Sequence, residues 1–364
     1  MSEFVLTSVK NNIGYITLDR PKALNSLSLE MVRALTTILL DWQDDANVRA
    51  VFIHGSSEKA FCAGGDIRFF YDVGTATPMG DSALLEDFFT EEYALNHLIH
   101  FYPKPYIALM NGVVMGGGMG IAQAGNDCRL RIVTERTKMA MPEVNIGLFP
   151  DVGGGYFLSR APGQIGTYMG LTGEIINAAD ALYAGLADVF IPTSELPALM
   201  HLLEQNTATD VRAAIREFAA PFADQALPGN SKLAANRSGI DALFSGNSAI
   251  EISKHLQQDT SEFAQQAFSI MQKRSPLLMS VTLEQLRRSA SMTVSDCLRM
   301  ERNMVRHCFK HGEVLEGVRA LVVDKDNTPR WSPATLAEVT AEQVSGFFSE
   351  VWPTHAHPLR FLQG

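Results

Sequence analysis

The acidic residues Glu143 and Asp151 each follow a proline, in a stretch that is otherwise apolar and rich in glycine. A proline fixes its own φ and restricts the residue before it, so each acid stands at a defined bend. A carboxylate in apolar surroundings is costly unless it is paired, hydrogen-bonded or used in catalysis. Such a pair is suited to general acid–base or nucleophilic chemistry. The structural alternatives are that Glu143 is a satisfied internal acid and that Asp151 caps a helix over residues 154–160.

Two glycine-containing segments could present backbone amides without side-chain cover. Residues 61–68 contain Gly64 and Gly65 at the end of an expected strand, and residues 111–120 contain three consecutive glycines that open a helix. Amides of this kind can donate together to an oxygen that becomes negatively charged. Tight turns or close helix packing would explain the glycines equally well. A phosphate-binding loop fits poorly, because the triple glycine completes no GxGxxG pattern and the Walker lysine is missing.

The composition restricts the class of protein. The 364 residues are 46% hydrophobic and 19% charged, which is typical of a globular protein with a large core. The formal net charge of −10 argues against a nucleic-acid partner, and the four cysteines show no metal-binding spacing. The N-terminus lacks the pattern of a signal or transit peptide, and no apolar run is long enough to span a bilayer. We therefore expect a cytoplasmic protein with no membrane partner and no metal.

The first half of the chain alternates between predicted strands and helices. A hairpin is predicted over residues 4–18, and Ser28 is placed to cap a helix whose apolar face contains Met31 and Leu35. This order predicts an α/β fold made of strand–strand–helix units. The other predicted elements are a strand at 50–54, a helix at 83–100, and strands at 106–110 and 128–133.

The second half is predicted to be helical. Strand signals become rare after about residue 205, and the chain has no solenoid-type repeat. We therefore predict an α/β core over residues 1–204 followed by a helical C-terminal region over residues 205–364. The predicted helices cover residues 211–218, 250–271, 283–297, 298–311 and 341–351.

Taken together, the three segments resemble the crotonase (enoyl-CoA hydratase/isomerase) superfamily, and the combination is far more specific than any one segment. The resemblance implies a spiral of ββα units and an acyl-CoA substrate, with no cofactor beyond the coenzyme A of that substrate. It implies an oxyanion hole formed by the N–H groups of Gly65 and Gly117. The stretch 20–27 resembles the coenzyme A contact region, and the implied contacts are Lys22, Ala23, Leu24, Ala63, Gly65, Asp66 and Ile67.

Within the superfamily, two positions indicate a hydrolase. Hydratases carry a first catalytic glutamate where this chain has Gly120, whereas the second glutamate is retained as Glu143. Asp151 replaces a glycine that is typical of hydratases, and the sequence is similar to the 3-hydroxyisobutyryl-CoA hydrolases of this superfamily. The resemblance implies that Glu143 acts as general base or as nucleophile, and that Asp151 binds the 3-hydroxyl group or orients water. Glu92 and Gly117 are implied to contact the same substrate.

Several alternatives stay open on the sequence. The chain could be a hydratase or isomerase of the same superfamily, or a non-catalytic acyl-CoA-binding protein. Arg20, Lys22 and Arg68 are candidates for contacts with the coenzyme A phosphates, and each could equally be a solvated charge. Superfamily members often form trimers or hexamers, so a homo-oligomer is one alternative, and cover of the active site by the chain's own C-terminal helices is the other.

Overall fold

The computed structural model describes residues 2–123, 128–205, 210–226 and 228–364. Their contacts divide the chain into two compact units. The first comprises Met1–Gly65, Leu95–Ala140 and Ile175–Ala235, and the second comprises Asp66–Ala94, Met141–Glu174 and Asn236–Gly364. Each unit therefore combines segments from both sides of residue 204. The predicted division into a core over residues 1–204 and a helical region over residues 205–364 describes the order of elements along the chain, and it stays a prediction.

The first unit contains two sheets. The described strands are β1 (Val5–Lys10), β2 (Ile13–Leu18), β3 (Ala50–Gly55), β4 (Ala60–Cys62), β5 (Tyr106–Met110), β6 (Val113–Met115), β7 (Arg129–Val133), β8 (Lys138–Ala140) and β9 (Val189–Phe190). The larger sheet has the order β1-β2-β3-β5-β7-β9 and the smaller one the order β4-β6-β8. β1 and β2 pair antiparallel, which confirms the predicted hairpin, and all other pairs are parallel.

From β3 onwards, successive strands alternate between the two sheets. β3, β5 and β7 belong to the larger sheet, and each is followed by a strand of the smaller sheet before the chain turns into helices. This order confirms the predicted α/β fold of repeated strand–strand–helix units. Because the three strands of the smaller sheet are parallel, their carboxyl ends lie at one edge of it.

The α-helices that the described residues form are α1 (Leu29–Asp44), α2 (Ile67–Ala76), α3 (Ala83–His100), α4 (Gly117–Gln123), α5 (Gly154–Leu158), α6 (Ile165–Thr172), α7 (Ala178–Tyr183), α8 (Leu196–Gln205), α9 (Val211–Ala219), α10 (Lys232–Ala235), α11 (Arg237–Leu243), α12 (Ala249–Gln258), α13 (Glu262–Met271), α14 (Pro276–Ser289), α15 (Val294–His311), α16 (Glu313–Val318) and α17 (Ala341–Gly346). Short 3-10 helices add Pro21–Ala23, Met79–Asp81, Glu143–Ile146, Thr193–Glu195, Ala220–Ala226, Pro228–Asn230, Leu336–Glu338 and Thr354–Ala356, and Arg319–Val323 is a π-helix. None of these helices combines the length and the apolar character that crossing a membrane requires.

Three helices begin directly after a serine or threonine whose side chain caps them. Ser28 accepts a hydrogen bond from Met31 N, as predicted for the start of α1. The predicted helix over residues 250–271 is interrupted, because Ser261 caps a new helix, α13. The predicted break between residues 297 and 298 is wrong, since α14 ends at Ser289 and Thr293 caps α15. Periodicity alone did not reveal these internal caps.

Each unit has its own apolar core. In the first unit, alternate residues of the larger sheet, including Phe52 and Ile107, face Leu199 of α8 and Ile215 of α9. In the second unit, Val144 packs among residues of α6 and α12 to α14. Val144 follows Glu143 directly, so this core anchors the turn that carries the predicted catalytic acid.

Candidate active site

The two glycine segments meet at one edge of the smaller sheet. Cys62 of β4 pairs with Val114 of β6, and the chain continues from these strands into residues 63–65 and 116–118. A Cβ atom on Gly64 (φ +103°) would lie 3.1 Å from Met115 O and 3.5 Å from Gly117 N. The segments therefore approach through bare backbone, as an amide pair that serves one oxygen requires.

Gly117 occupies a helix start. It is the first residue of α4, where an N–H group has no carbonyl of its own helix to bind. A Cβ atom on the next residue, Gly118, would overlap Cys62 O, so this helix packs against the end of β4. These contacts leave the Gly117 amide suited to an external acceptor, and its role in an oxyanion hole stays a prediction.

The predicted coenzyme A contact region is hydrogen-bonded to the residues that follow β4. Ala63 N donates to Leu24 O over 3.0 Å, and Leu27 N donates to Gly64 O over 2.7 Å. Lys22 and Ala23 belong to the 3-10 helix Pro21–Ala23. The structure thus brings together five of the seven predicted contact residues, Lys22, Ala23, Leu24, Ala63 and Gly65.

Asn25 holds that region in place. Its fully buried side chain donates from Nδ2 to Ala60 O and Phe61 O, over 3.0 and 3.2 Å, and accepts from Arg20 N over 2.8 Å. The side chain thereby ties the turn before α1 to strand β4. The sequence analysis included Asn25 only within the stretch 20–27, and it missed this structural role.

The remaining predicted contacts belong to other local arrangements. Asp66 caps α2 by accepting from Phe69 N over 3.2 Å, and Ile67 is the first residue of that helix. The Arg68 guanidinium bonds Asp72 one turn later over 3.1 Å. Arg20 donates to Ser26 O over 3.1 Å. Both guanidiniums therefore have partners within their own segments, and their contacts with phosphate stay predictions.

Glu143 begins the 3-10 helix Glu143–Ile146 in the second unit. The residue is only 5% exposed, and Oε2 has no hydrogen-bond partner among the described residues. The interpretation of Glu143 as a fully satisfied internal acid is therefore not what the structure shows. A buried, unpartnered carboxylate oxygen is costly and indicates a functional group.

Asp151 is also buried, and it is oriented by a tyrosine. The Tyr93 hydroxyl donates to Asp151 Oδ2 over 2.7 Å. The alternative that the Asp151 side chain caps the following helix is not supported, because α5 starts after Gly153 without a local side-chain cap. Glu301 of α15 accepts from the N–H groups of Gly153 and Gly155 instead.

Glu92 completes a group of buried acids in this unit. It precedes Tyr93 on α3, is 2% exposed, and its Oε1 has no hydrogen-bond partner in the described part of the chain. Sequence reasoning included Glu92 but missed Tyr93 and Glu301. Tyr93 is the next residue after Glu92 in the chain, whereas Glu301 lies 148 positions beyond Gly153 and offered no local signal.

Burial controls the ionisation of these acids. Burial, and then the charge of Asp151, raise the pKa of Glu143 and of Glu92 well above the ordinary glutamate value. Burial also raises the pKa of Asp151 to about 6, although the Tyr93 hydrogen bond acts in the opposite direction. Because neighbouring carboxylates oppose one another's ionisation, these acids lose their protons in separate steps rather than together.

Metal-ligand geometry is a separate question. Across residues 2–123, 128–205, 210–226 and 228–364, no three His, Cys, Asp or Glu side chains are arranged to hold a metal ion. The prediction that the chemistry needs no cofactor stays a prediction.

Comparisons with known proteins agree with this arrangement. The family model described as enoyl-CoA hydratase/isomerase matches residues 13–348. The 3-hydroxyisobutyryl-CoA hydrolase, mitochondrial, of Gallus gallus is 40% identical over 347 residues, covering 94% of this chain and 88% of that protein. The protein of the same name from Homo sapiens is 37% identical over 355 residues, covering 96% and 89%.

Solved structures reproduce the whole fold. A carnitinyl-CoA dehydratase from Mycobacterium thermoresistibile is 40% identical with a TM-score of 0.85, covering 97% of this chain and 98% of that one. An enoyl-CoA hydratase from Rhodobacter sphaeroides 2.4.1 is 36% identical with the same TM-score, covering 96% and 98%. Because the family model and these relatives each cover most of its length, the chain belongs to the enoyl-CoA hydratase/isomerase family.

Proposed function

We propose that the chain is an acyl-CoA thioester hydrolase that cleaves 3-hydroxyisobutyryl-CoA to 3-hydroxyisobutyrate and free coenzyme A, a reaction of valine breakdown. The observation that carries the proposal is the buried Glu143, whose Oε2 has no partner among the described residues. It stands three residues after β8, and the two glycine segments follow the neighbouring strands β4 and β6. Curated relatives named for this reaction match the chain over most of its length.

The amides of Gly65 and Gly117 are proposed to hold the thioester oxygen. Attack on the carbonyl carbon creates a tetrahedral intermediate whose oxygen is anionic, and preorganised N–H groups stabilise that charge. One such donor contributes about 3 kcal/mol to transition-state stabilisation. Support comes from the bare approach of the two segments and from Gly117 at the start of α4.

Glu143 is proposed to activate the attack. As a general base it takes a proton from water while the water oxygen bonds the carbonyl carbon. The C–S bond then breaks, and the proton passes from Glu143 to the departing sulfur of coenzyme A, which restores the carboxylate. As a nucleophile its carboxylate bonds the carbon directly, the thiolate leaves, and water hydrolyses the resulting anhydride. Both routes need an ionised Glu143, and both regenerate it.

Asp151 is proposed to recognise the 3-hydroxyl group of the substrate. Tyr93 donates to Oδ2 and thereby fixes the plane of the carboxylate. The other oxygen, Oδ1, is the acceptor we assign to the hydroxyl. Glu92, buried one position before Tyr93, is proposed to contact the same acyl group.

The rival function is hydration or dehydration of an acyl-CoA, for which the two similar solved structures are named. Concerted addition of water to a double bond uses two acid–base groups. The first of them would stand at Gly120, which is a buried glycine within α4 and supplies no carboxylate. A non-catalytic acyl-CoA-binding protein is disfavoured because such a protein gains nothing from an unpartnered buried acid at Glu143.

Two assays on the purified protein test the proposal. Thiol capture measures free coenzyme A released from 3-hydroxyisobutyryl-CoA, and ultraviolet absorbance of the conjugated thioester measures hydration of the matching enoyl-CoA. We expect thiol release with little hydration. Hydration without thiol release would overturn the proposal in favour of a hydratase, and binding of coenzyme A without turnover would favour a binding protein. Location in the cytoplasm and assembly into oligomers stay predictions.

A further inference from the structure

The turn that carries Asp151 adopts an unusual backbone conformation. Val152 has φ +55° and Gly153 has φ +84°, so two successive residues are left-handed. Glycine adopts this region freely, but a β-branched residue such as valine rarely does. A turn of this kind persists only when surrounding groups hold it.

Two side chains from the C-terminal helices hold the turn. Glu301 of α15 accepts from Gly153 N at Oε2 over 2.8 Å and from Gly155 N at Oε1 over 3.1 Å. Gln285 of α14 donates to Pro150 O over 2.8 Å and to Glu301 Oε1 over 3.1 Å. Backbone groups before and after Asp151 are thereby joined through one buried pair of side chains.

Gly155 is required for this approach. A Cβ atom there would lie 3.1 Å from Glu301 Oε1 and would overlap Ser289 Oγ. Glu301 itself is fully buried. The glycines of the turn and the carboxylate of α15 thus fit one another and leave no room for a side chain at Gly155.

Tyr93 fixes the Asp151 side chain from another direction. Its hydroxyl is buried and donates to Oδ2 over 2.7 Å. Burial, together with the charge of Asp151, raises the pKa of Tyr93 well above its ordinary value, so the hydroxyl keeps the proton that it donates. The backbone and the carboxylate of Asp151 are therefore held by separate groups.

We propose that Tyr93 and Glu301 are positioning residues for Asp151: Tyr93 orients its carboxylate, and Glu301 holds the left-handed turn that presents it. Selection for the 3-hydroxyl group then depends on the C-terminal helices as well as on the turn itself. This inference rests on the proposed function only for the identity of the substrate group that Asp151 meets.

The first test compares substrates. kcat/KM is measured for 3-hydroxyisobutyryl-CoA and for isobutyryl-CoA, which lacks only the hydroxyl, in the wild type, Asp151→Asn, Tyr93→Phe and Glu301→Gln. The hydroxyl preference is the ratio of the two kcat/KM values. Asp151→Asn serves as the reference, and we expect it to lower this ratio by about tenfold. Tyr93→Phe and Glu301→Gln should lose most of the same preference. A retained preference in both, beside a lost one in Asp151→Asn, would overturn the inference.

Asp180→Asn is the matched control. Asp180 is another buried aspartate that accepts a backbone N–H, from Leu233 over 2.9 Å, but it belongs to the first unit. A general effect of deleting a buried carboxylate would change the preference in this variant too. We expect destabilisation with the wild-type preference for the hydroxylated substrate, and a change of preference here equal to that in Glu301→Gln would count against a specific role.

The second test needs no substrate. Amide hydrogen exchange at Gly153 and Gly155 should accelerate about tenfold or more in Glu301→Gln, because the amide side chain offers one acceptor in place of two. Carboxyl-carbon NMR should show a higher pKa for Asp151 in Tyr93→Phe, because the hydrogen bond to its ionised form is removed. Unchanged exchange and an unchanged pKa would reject the positioning roles, whereas absence of thiol release by the wild type would reject only the proposed function.

Discussion

Asp188 in the first unit and the buried acids around Asp151 in the second unit have different surroundings. In the first unit, Asp188 forms a bidentate pair with Arg131 over 2.8 and 3.0 Å and also accepts from Arg131 N over 2.7 Å. Burial works to raise the pKa of Asp188, but the hydrogen bonds and charge of Arg131 outweigh it and hold the pKa below the ordinary value. Asp188 is an acid whose ionised form stabilises the fold.

The buried acids around Asp151 have no such cation. Among the described residues, no salt bridge reaches Glu92, Glu143, Asp151 or Glu301. Burial and mutual repulsion raise the pKa of Glu143, and burial raises that of Glu301 to about 8. The difference teaches that a cationic partner holds an acid in its ionised form, whereas burial without such a partner opposes ionisation.

The largest expected effect comes from Glu143→Gln. The amide keeps the shape of the side chain but neither accepts a proton nor attacks a carbonyl, so thioester turnover should fall by about 10² to 10⁴-fold. Steady-state thiol release measures kcat, and calorimetry should show that coenzyme A still binds. Retention of more than a tenth of the activity would remove Glu143 from its assigned role.

Asp188→Asn tests the other side of the comparison. Breaking this pair leaves the buried Arg131 without its partly exposed counter-charge, which should cost about 3 kcal/mol of the free energy of unfolding at neutral pH. Because the pKa of Asp188 is lowered on folding, the contribution exists above the unfolded value and is lost as pH falls through the folded pKa. Urea denaturation at pH 7 and below pH 3 measures the loss of unfolding free energy at each pH. We expect the preference for the hydroxylated substrate to be unaffected. Equal losses at the two pH values would contradict the interpretation.

The smallest expected effect concerns stability and has the opposite sign. The folded pKa of Glu143 lies above its unfolded value near 4.5, so the native state binds more protons and stability falls as pH rises through this range. Glu143→Gln removes that penalty and should be more stable than the wild type by about 1 kcal/mol at pH 8, with no gain at pH 4. Thermal denaturation at both pH values checks it. A variant less stable than the wild type at pH 8 would mean that ionised Glu143 is satisfied in the native state.

Much of the fold and of the candidate site could be predicted from the sequence. Three segments, each short and rich in glycine or proline, indicated the family, and the position of Gly120 separated hydrolysis from hydration. The hairpin, the cap at Ser28 and the helix over residues 83–100 were also readable, because caps and periodicity are local. Breaks within the long helical stretch were missed, because Ser261 and Thr293 resemble ordinary polar helix residues until their cap bonds are seen.

Residue type and spacing alone thus determined which groups are available for chemistry: two acids after prolines and two bare backbone segments. Only the tertiary structure decided how these groups are buried, hydrogen-bonded and oriented. Among the described residues, it left Glu143 Oε2 without a partner and gave Asp151 a hydroxyl from Tyr93. It also made Glu301, which lies 148 positions beyond Gly153, rather than Asp151 the side chain that accepts from the start of α5. The physical reason is that burial and long-range hydrogen bonds control the ionisation and orientation of a carboxylate, and neither follows from its neighbours in the chain.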